Sequence, residues 1–458
     1  MTTTADTPAP PEDSAADTEG SDDGAISGAP GGPKRPRRRR FLRHVALATS
    51  LLLLASAGAA WYGFQRLDSN IRTDDATADE LLRHEDDRPQ QVAEAKEALN
   101  ILLIGSDDRS GGNSKYGRAE GRRSDSTILL HVAADRGSAT AVSIPRDLMV
   151  DIPSCTADDG TATAAQKAQF NWAFQFGGAA CTILTLEQLT GIRIDDHLIV
   201  DFTGFKEMVD AVEGVEVCLT EPVTDKEAKL DLPAGRQTLY GEDALAYVRA
   251  RHGFGNGSDT ERMGRQQAFL ASLVQKVQSN GVLLNPARLF PLASAATSSL
   301  TASGGLDSIG ELYELASGLR STPTENFVFL TVPREPYALN ANRDQLVQPA
   351  ADELFEALRN DEPVEVAAGE KSGEKAEKES GEGTPEAGNG SPSAGGGHVR
   401  AAGPFGSAAD GPVQQAGSAR TGDSASPSAS ASTSPSASPS SSPSFDGTTA
   451  GRDVCGGK

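Results

Sequence analysis

The chain is short of positive charge. It carries 42 Lys and Arg against 64 Asp and Glu, a net charge of -22 and a pI near 4.7. That balance excludes a protein that coats DNA or RNA, because such binding runs on lysine and arginine against phosphates. Cysteine is scarce as well, with 4 in 458 residues and no C-x-x-C pair. A zinc ribbon and a thioredoxin-type motif are therefore excluded. No two histidines stand at metal-ligand spacing, so His131, His197 and His252 are expected to be structural or surface residues. Both ends of the chain lack the apolar content needed to bury a core and are rich in Pro, Gly and Ser.

Residues 1–33 contain acids but no Lys or Arg and read as a disordered tail. The sign then reverses at Lys34-Arg35-Pro36-Arg37-Arg38-Arg39-Arg40, with Arg43 just after. From Val45 to Phe64 the chain is uncharged and mostly apolar. As a helix this run spans about 30 Å, the thickness of a bilayer core. Trp61 and Tyr62 stand at its far end, where amphipathic rings favour the interface. The basic block keeps the N-terminal side in the cytoplasm, so the remainder is expected outside, on a single-pass type II anchor. Ala57-Gly58-Ala59 resembles a signal-peptidase site, but the run is long for a cleaved signal. The expected organisation is a cytoplasmic tail with the basic block over 1–43, a membrane helix over 44–65 and a charged, helical stalk over 66–97. A folded domain follows over 98–361, then a low-complexity linker over 362–447, with its Ser/Pro/Ala tract as a flexible spacer, and a tail over 448–458 that carries Cys455.

Within the domain, Asn100-Ile101-Leu102-Leu103-Ile104-Gly105-Ser106-Asp107-Asp108-Arg109 reads as a buried strand that stops at a glycine and releases two acids and an arginine into a loop. A second strand, Ser126 to Val132, follows Arg122-Arg123-Ser124-Asp125. A third, Thr140 to Ile144, closes on Pro145-Arg146-Asp147, and Leu148 to Ile152 reads as a fourth. Further on, helical patterns at 183–189, 203–212, 241–248, 260–279, 306–319 and 344–358 alternate with strands at 197–202, 214–219 and 326–332. Strands alternating with helices predict a layered α/β domain. Outside the cell, oxidised cysteines are the default. Cys155 and Cys181 flank one loop-helix segment and are expected to pair, which would contribute about 3 kcal/mol by loop closure. Cys218 and Cys455 either pair, tying the tail to the domain, or leave Cys455 free.

The arginines of this acidic chain recur beside acids or at element ends: Arg109, Arg123, Arg146, Arg249, Arg251, Arg262 and Arg265. Guanidinium groups suit phosphate through bidentate geometry and permanent charge. Asp107 and Asp125 suit Mg²⁺, which takes one or two carboxylates together with phosphate oxygens. The combination suggests a Mg²⁺-pyrophosphate site rather than a set of surface ion pairs. Phe170, Trp172, Phe174 and Phe176 ahead of the 183–189 helix are candidates for an apolar groove, with plain core packing as the competing reading.

These residues are similar to the LytR-CpsA-Psr phosphotransferases of Gram-positive-type cell envelopes. The resemblance is carried by Asn100 to Asp107 with Arg109, Arg123-Ser124-Asp125 and Ser143-Ile144-Pro145-Arg146-Asp147. It continues through Asp201-Phe202-Thr203-Gly204-Phe205, Gly214-Val215-Glu216-Val217 and Gly241 to Arg251, and ends on Asp259, Arg262, Arg265, Gln266 and Gln267. It covers roughly residues 98–280, with a weaker extension to about 360. Ser126 departs from it, since a Thr usually follows the Asp, but the hydroxyl is kept. A second C-terminal domain, which some members carry, is not recognisable. The resemblance implies a mixed β-sheet in an α/β/α sandwich outside the membrane. It implies an enzyme, expected as a monomer, that moves a glycan phosphate from a polyprenyl-pyrophosphate-linked glycan to peptidoglycan. It also implies Mg²⁺ ligation by Asp107 and Asp125 and a pyrophosphate clamp of Arg123, Arg146, Arg249 and Arg251, lined by Arg109, Arg262 and Gln266. A pyrophosphatase, a regulator and a lipid-binding scaffold are the rival readings.

Overall fold

The computed structural model describes residues 36–107, 124–157, 159–254, 259–279, 286–367, 444–453 and 455. The acidic tail, Asp108, Arg109, Arg123 and most of the low-complexity linker lie outside the described residues. The chain divides into two units, residues 1–63 and 64–458. The described residues of the first unit belong to a helix, α1 (Pro36–Asp68), whose stretch Phe41–Asp68 is long and apolar enough to cross a membrane.

The second unit is built on a nine-stranded mixed sheet. Its centre is β2 (Leu99–Ser106), β3 (Ser124–Val132) and β4 (Ala139–Ile144), antiparallel in sequence. Ahead of them come the short β1 (Arg72–Thr73) and α2 (Asp75–Arg83). After β4 the chain makes two hairpins from β5 (Met149–Ile152), β6 (Cys155–Thr156), β7 (Ala162–Thr163) and β8 (Gln166–Gln169), then enters α3 (Asn171–Thr190). β9 (Asp196–Val200) returns parallel to β2 and leads into α4 (Phe202–Ala211). β10 (Val215–Leu219), β11 (Val223–Asp225), β12 (Leu230–Leu232) and β13 (Gly235–Leu239) form two small hairpin sheets ahead of α5 (Gly241–Arg249) and α6 (Asp259–Ser279). α7 (Pro286–Ser299), β14 (Leu300–Ala302) and α8 (Ile309–Leu319) follow. Next come β15 (Phe327–Thr331), the hairpin β16 (Arg334–Tyr337) and β17 (Asn340–Leu346), α9 (Ala350–Arg359), β18 (Glu365–Ala367) and β19 (Ser444–Thr449). The sheet order is β1-β14-β9-β2-β3-β4-β15-β19-β18.

The strands are apolar on both sides because both faces are covered. Leu102, Leu129, Val142 and Leu330 pack with α3 and α9 through Ile183, Leu186, Leu354 and Phe355. On the opposite face, Ala141 and Phe329 meet Ala271 of α6, while Ile101 packs with Leu306 and with α8. This is the expected α/β/α sandwich. α3 breaks at Gly177 and Gly178, and glycine at 177 is needed for space: a Cβ there would lie 2.9 Å from Cys181 Cβ and 3.0 Å from Cys155 Cβ. Those two cysteines are bonded, as are Cys218 and Cys455. Gly191 ends α3 with φ 66°, a left-handed cap.

Three expectations change. The segment 66–97 is no separate stalk. Thr77 and Glu80 are buried, and Arg88 donates to Glu187 at 2.6 and 2.9 Å and to Ile194 O at 2.8 Å, inside the domain. Residues 149–152 form the expected fourth strand, which pairs with β8 outside the main sheet. Asp344 to Leu346 belong to β17, and the helix starts only at Ala350. The domain does not end at 361. β19 lies between β15 and β18, with Phe445 in the core, and Asp453 meets Arg236 at 3.0 Å.

Candidate active site

Antiparallel pairing brings the end of β2, the start of β3 and the end of β4 to one edge of the sheet. The parallel β9 ends there too, with Val200 opposite Gly105. Carboxyl ends of strands in open α/β sheets are where ligands bind. A register shift at Gly105/Ser106 sets Ser106 opposite Ser124, so Asp125 is the extra residue on β3 at the shift and Asp107 follows the pair on β2. Asp107 is buried, whereas the Asp125 side chain is 36% exposed.

Arg146 stands in the turn that ends β4, where Leu148 N donates to Pro145 O at 3.1 Å. Its Nη1 lies 3.4 Å from Asp125 Oδ1, and its Nε donates to Asp147 Oδ2 at 3.2 Å. α6 closes over this edge. Arg262 and Gln266, four residues apart, share one helix face and line a small pocket with Asp125, Ser143 and Arg146. Arg262 is buried, and Gln266 donates to Val248 O at 3.0 Å. Gln267 fixes the helix to the sheet by donating to Thr331 Oγ1 at 2.7 Å.

Arg249 and Arg251 lie outside the walls of that pocket. The Arg249 guanidinium sits 4.4 Å from the Phe202 ring centroid, and Arg251 is exposed. The turn they share is held by Asp225, which sequence reasoning missed. This carboxylate is 1% exposed. It accepts from Arg251 N and His252 N at 2.9 Å on one oxygen, and from Glu227 N at 2.9 Å and Ala228 N at 3.0 Å on the other. Burial alone would raise its pKa, but these four backbone donors outweigh burial and hold it below the ordinary carboxylate range. The local half was legible as an Asp opening an Asx-type turn, while residues 251 and 252 were not. Arg265 adds a bond to Ala250 O and lies 3.9 Å from the Phe254 ring centroid.

Arg109 and Arg123 lie outside the described residues. His131 and His197 are buried against Asp361 and Asp74, and His252 is exposed. Phe170 and Phe174 are core residues. Trp172 is 38% exposed and stacks edge-on with the half-buried Phe176, ring centroids 5.9 Å apart. The groove reading therefore retains only these two aromatics. Among the described residues no three His, Cys, Asp or Glu side chains converge on a metal position. The two strand-end carboxylates offer oxygen donors alone. That set suits Mg²⁺, which completes its shell with water and phosphate oxygens, and does not suit a closed zinc site.

The LytR_cpsA_psr family model matches residues 68–360. The chain is 37% identical over 263 residues to the cell wall biosynthesis protein LcpA of Corynebacterium glutamicum, covering 52% of this chain and 50% of that protein. It is 36% identical over 184 residues to the polyisoprenyl-teichoic acid–peptidoglycan teichoic acid transferase TagU of Enterococcus faecalis, covering 40% and 55%. The chain thus spans about half the length of these curated relatives. A solved LytR-Csp2A-Psr enzyme from Actinomyces oris superposes with a TM-score of 0.46 at 22% identity, covering 59% of this chain and 93% of that one.

Proposed function

The chain belongs to the LytR_cpsA_psr family, and on that premise we propose that it transfers a glycan phosphate from a polyprenyl-pyrophosphate-linked glycan to a peptidoglycan sugar hydroxyl. It acts as a monomer on a type II anchor, with the domain outside. The observation that carries the reading is the single pocket walled by Asp125, Arg146, Arg262 and Gln266 at the carboxyl edge of the sheet. The basic block before α1 supports the orientation, and relatives named as teichoic acid transferases support the reaction class.

Asp107 and Asp125 would hold Mg²⁺. When bound, the ion supplies Lewis-acid charge to the pyrophosphate oxygens. Arg146 and Arg262 donate to non-bridging oxygens and Arg249 and Arg251 complete the clamp from its rim, while Arg109 and Arg123, outside the described residues, are assigned to the same pyrophosphate by the family resemblance alone. The acceptor hydroxyl bonds to the glycan-side phosphorus, the bond from that phosphorus to the bridging oxygen breaks, and polyprenyl phosphate leaves. The hydroxyl proton passes to Asp107, Asp108 or water. Fixed guanidinium groups stabilise the charge that builds on the phosphoryl oxygens, more in the transition state than before it.

Complementation tests the reading. In cells lacking the gene, the wild-type chain should restore wall-attached glycopolymer, while Asp107→Ala and Arg249→Ala should not. Restoration by both variants would end the catalytic assignment. With purified protein, a chelator should abolish transfer and Mg²⁺ should restore it; transfer that persists in chelator would remove the metal from the scheme.

A further inference from the structure

The turn that carries Arg146 is held from a part of the chain with none of the site motifs. β17 runs past it: Asp344 N donates to Asp147 O at 3.1 Å, and Leu148 and Asp344 form a parallel bridge. Arg334 of β16 pairs with Asp344, fixing the hairpin's own register. The side chain of Asp147 is then shared. One oxygen takes Arg146 Nε and the other takes Arg343 Nη1, each at 3.2 Å. In the amide orientation that matches donors to acceptors, Gln169 of β8 accepts from Arg343 Nε and Nη2, both at 2.7 Å. The same amide donates to Asp147 Oδ1 at 3.1 Å. Arg343 Nη1 also donates to Asn342 O at 3.0 Å. Arg343 therefore has its guanidinium fixed on three sides, although its side chain is 32% exposed.

Charge counting gives this network a purpose. Arg146 pairs with two carboxylates, Asp125 and Asp147. Asp125 is the one assigned to the metal, so Asp147 is the carboxylate that draws on the Arg146 charge. Arg343 supplies Asp147 with a second cation. It also fixes Asp147, and through Asp147 the Nε edge of Arg146, so that the other edge of the guanidinium reaches toward Asp125. A bidentate, oriented guanidinium is what phosphate recognition requires.

We propose that Arg343 is a positioning residue for Arg146: it clamps and neutralises Asp147 so that Arg146 presents its charge to a lipid pyrophosphate. This rests on the reading of Arg146 as a pyrophosphate ligand. The role differs from that of a substrate contact, because Arg343 acts through Asp147. It also differs from plain stabilisation, because its effect must vanish when Arg146 is absent.

The test uses the full chain in detergent with Mg²⁺ and farnesyl pyrophosphate as the probe, reading the dissociation constant and the thermal midpoint. Arg343→Gln is expected to weaken binding about tenfold, the scale of one charged hydrogen bond. Arg343→Lys, which keeps the charge but not the fork, should recover most of that loss. In an Arg146→Ala background, Arg343→Gln should add nothing. If Arg343→Gln lowers the thermal midpoint sharply, Gln169→Leu, which loosens the same fork from the other side, replaces it with the same expected order. Wild-type affinity in Arg343→Gln, or a loss that adds in full to that of Arg146→Ala, would overturn the proposal. An Arg146→Ala chain that binds the probe as tightly as wild type would instead sink the functional reading beneath it.

Discussion

Single residues at this site divide into those that face the pocket and those that aim them. Asp125, Arg146 and Arg262 stand out in the sequence because arginines recur beside acids or at element ends in a chain short of positive charge, whereas Gln266 comes from the family resemblance alone. The residues that aim them do not stand out. Asp225 reaches residues 251 and 252 across 26 and 27 positions, and Arg343 meets Asp147 across 196. No local pattern encodes such partners. Asp225 yields a direct prediction. Its removal leaves four backbone N–H groups without the carboxylate that gathers them into one turn. Asp225→Ala should lower the unfolding free energy by about 3 kcal/mol, read from chemical denaturation. It should also weaken lipid pyrophosphate binding, because Arg249 and Arg251 flank the loosened turn. A variant with wild-type stability and affinity would remove Asp225 from the account.

At the scale of elements, the central strands were legible because both faces are apolar, and α5 and α6 because their spacing is helical. What escaped was where elements go. β5 and β17 are short strands whose partners are hairpins rather than the main sheet, and α2 looks like any charged helix until Glu80 accepts from Thr156 N at 3.2 Å. β3 carries a pH-dependent contact at the end opposite Asp125. His131 is buried there between Asn100 Oδ1 at 2.8 Å and Asp361 Oδ1 at 3.0 Å. Burial pushes its imidazole below the ordinary value of 6.5, and the Asp361 carboxylate recovers only part of the shift. The folded chain therefore binds fewer protons at this site than the unfolded chain between the depressed value and about 6.5. The stability that depends on neutral His131 is complete above that window and is lost as pH falls through it. The thermal midpoint should fall from pH 7.5 to 5.5, and His131→Gln should flatten part of that slope. An unchanged slope in the variant would contradict the assignment.

The sheet of the second unit is completed by a strand remote in sequence. β19 fills the sheet between β15 and β18, and the Cys218–Cys455 bond fastens the residues beyond it. The sequence leaves that pairing open and places the domain end too early, because residues 362–447 read as a low-complexity linker and its last residues carry no strand pattern. Cys455→Ser should lower the unfolding free energy by about 5 kcal/mol under the loop-closure model. A chain ending at residue 443 should expose the β15 edge and self-associate in light scattering; a monomeric truncation of wild-type stability would show that β19 is dispensable. Following one phosphorus atom decides whether the edge that carries Asp107, Asp125 and Arg146 transfers a glycan phosphate. A lipid-linked donor labelled in the phosphate next to the sugar is incubated with the protein, Mg²⁺ and peptidoglycan. The label should move into peptidoglycan, and Arg146→Ala should slow this by about 100-fold or more. Label recovered only as soluble glycan phosphate, or transfer undiminished in Arg146→Ala, would contradict the account.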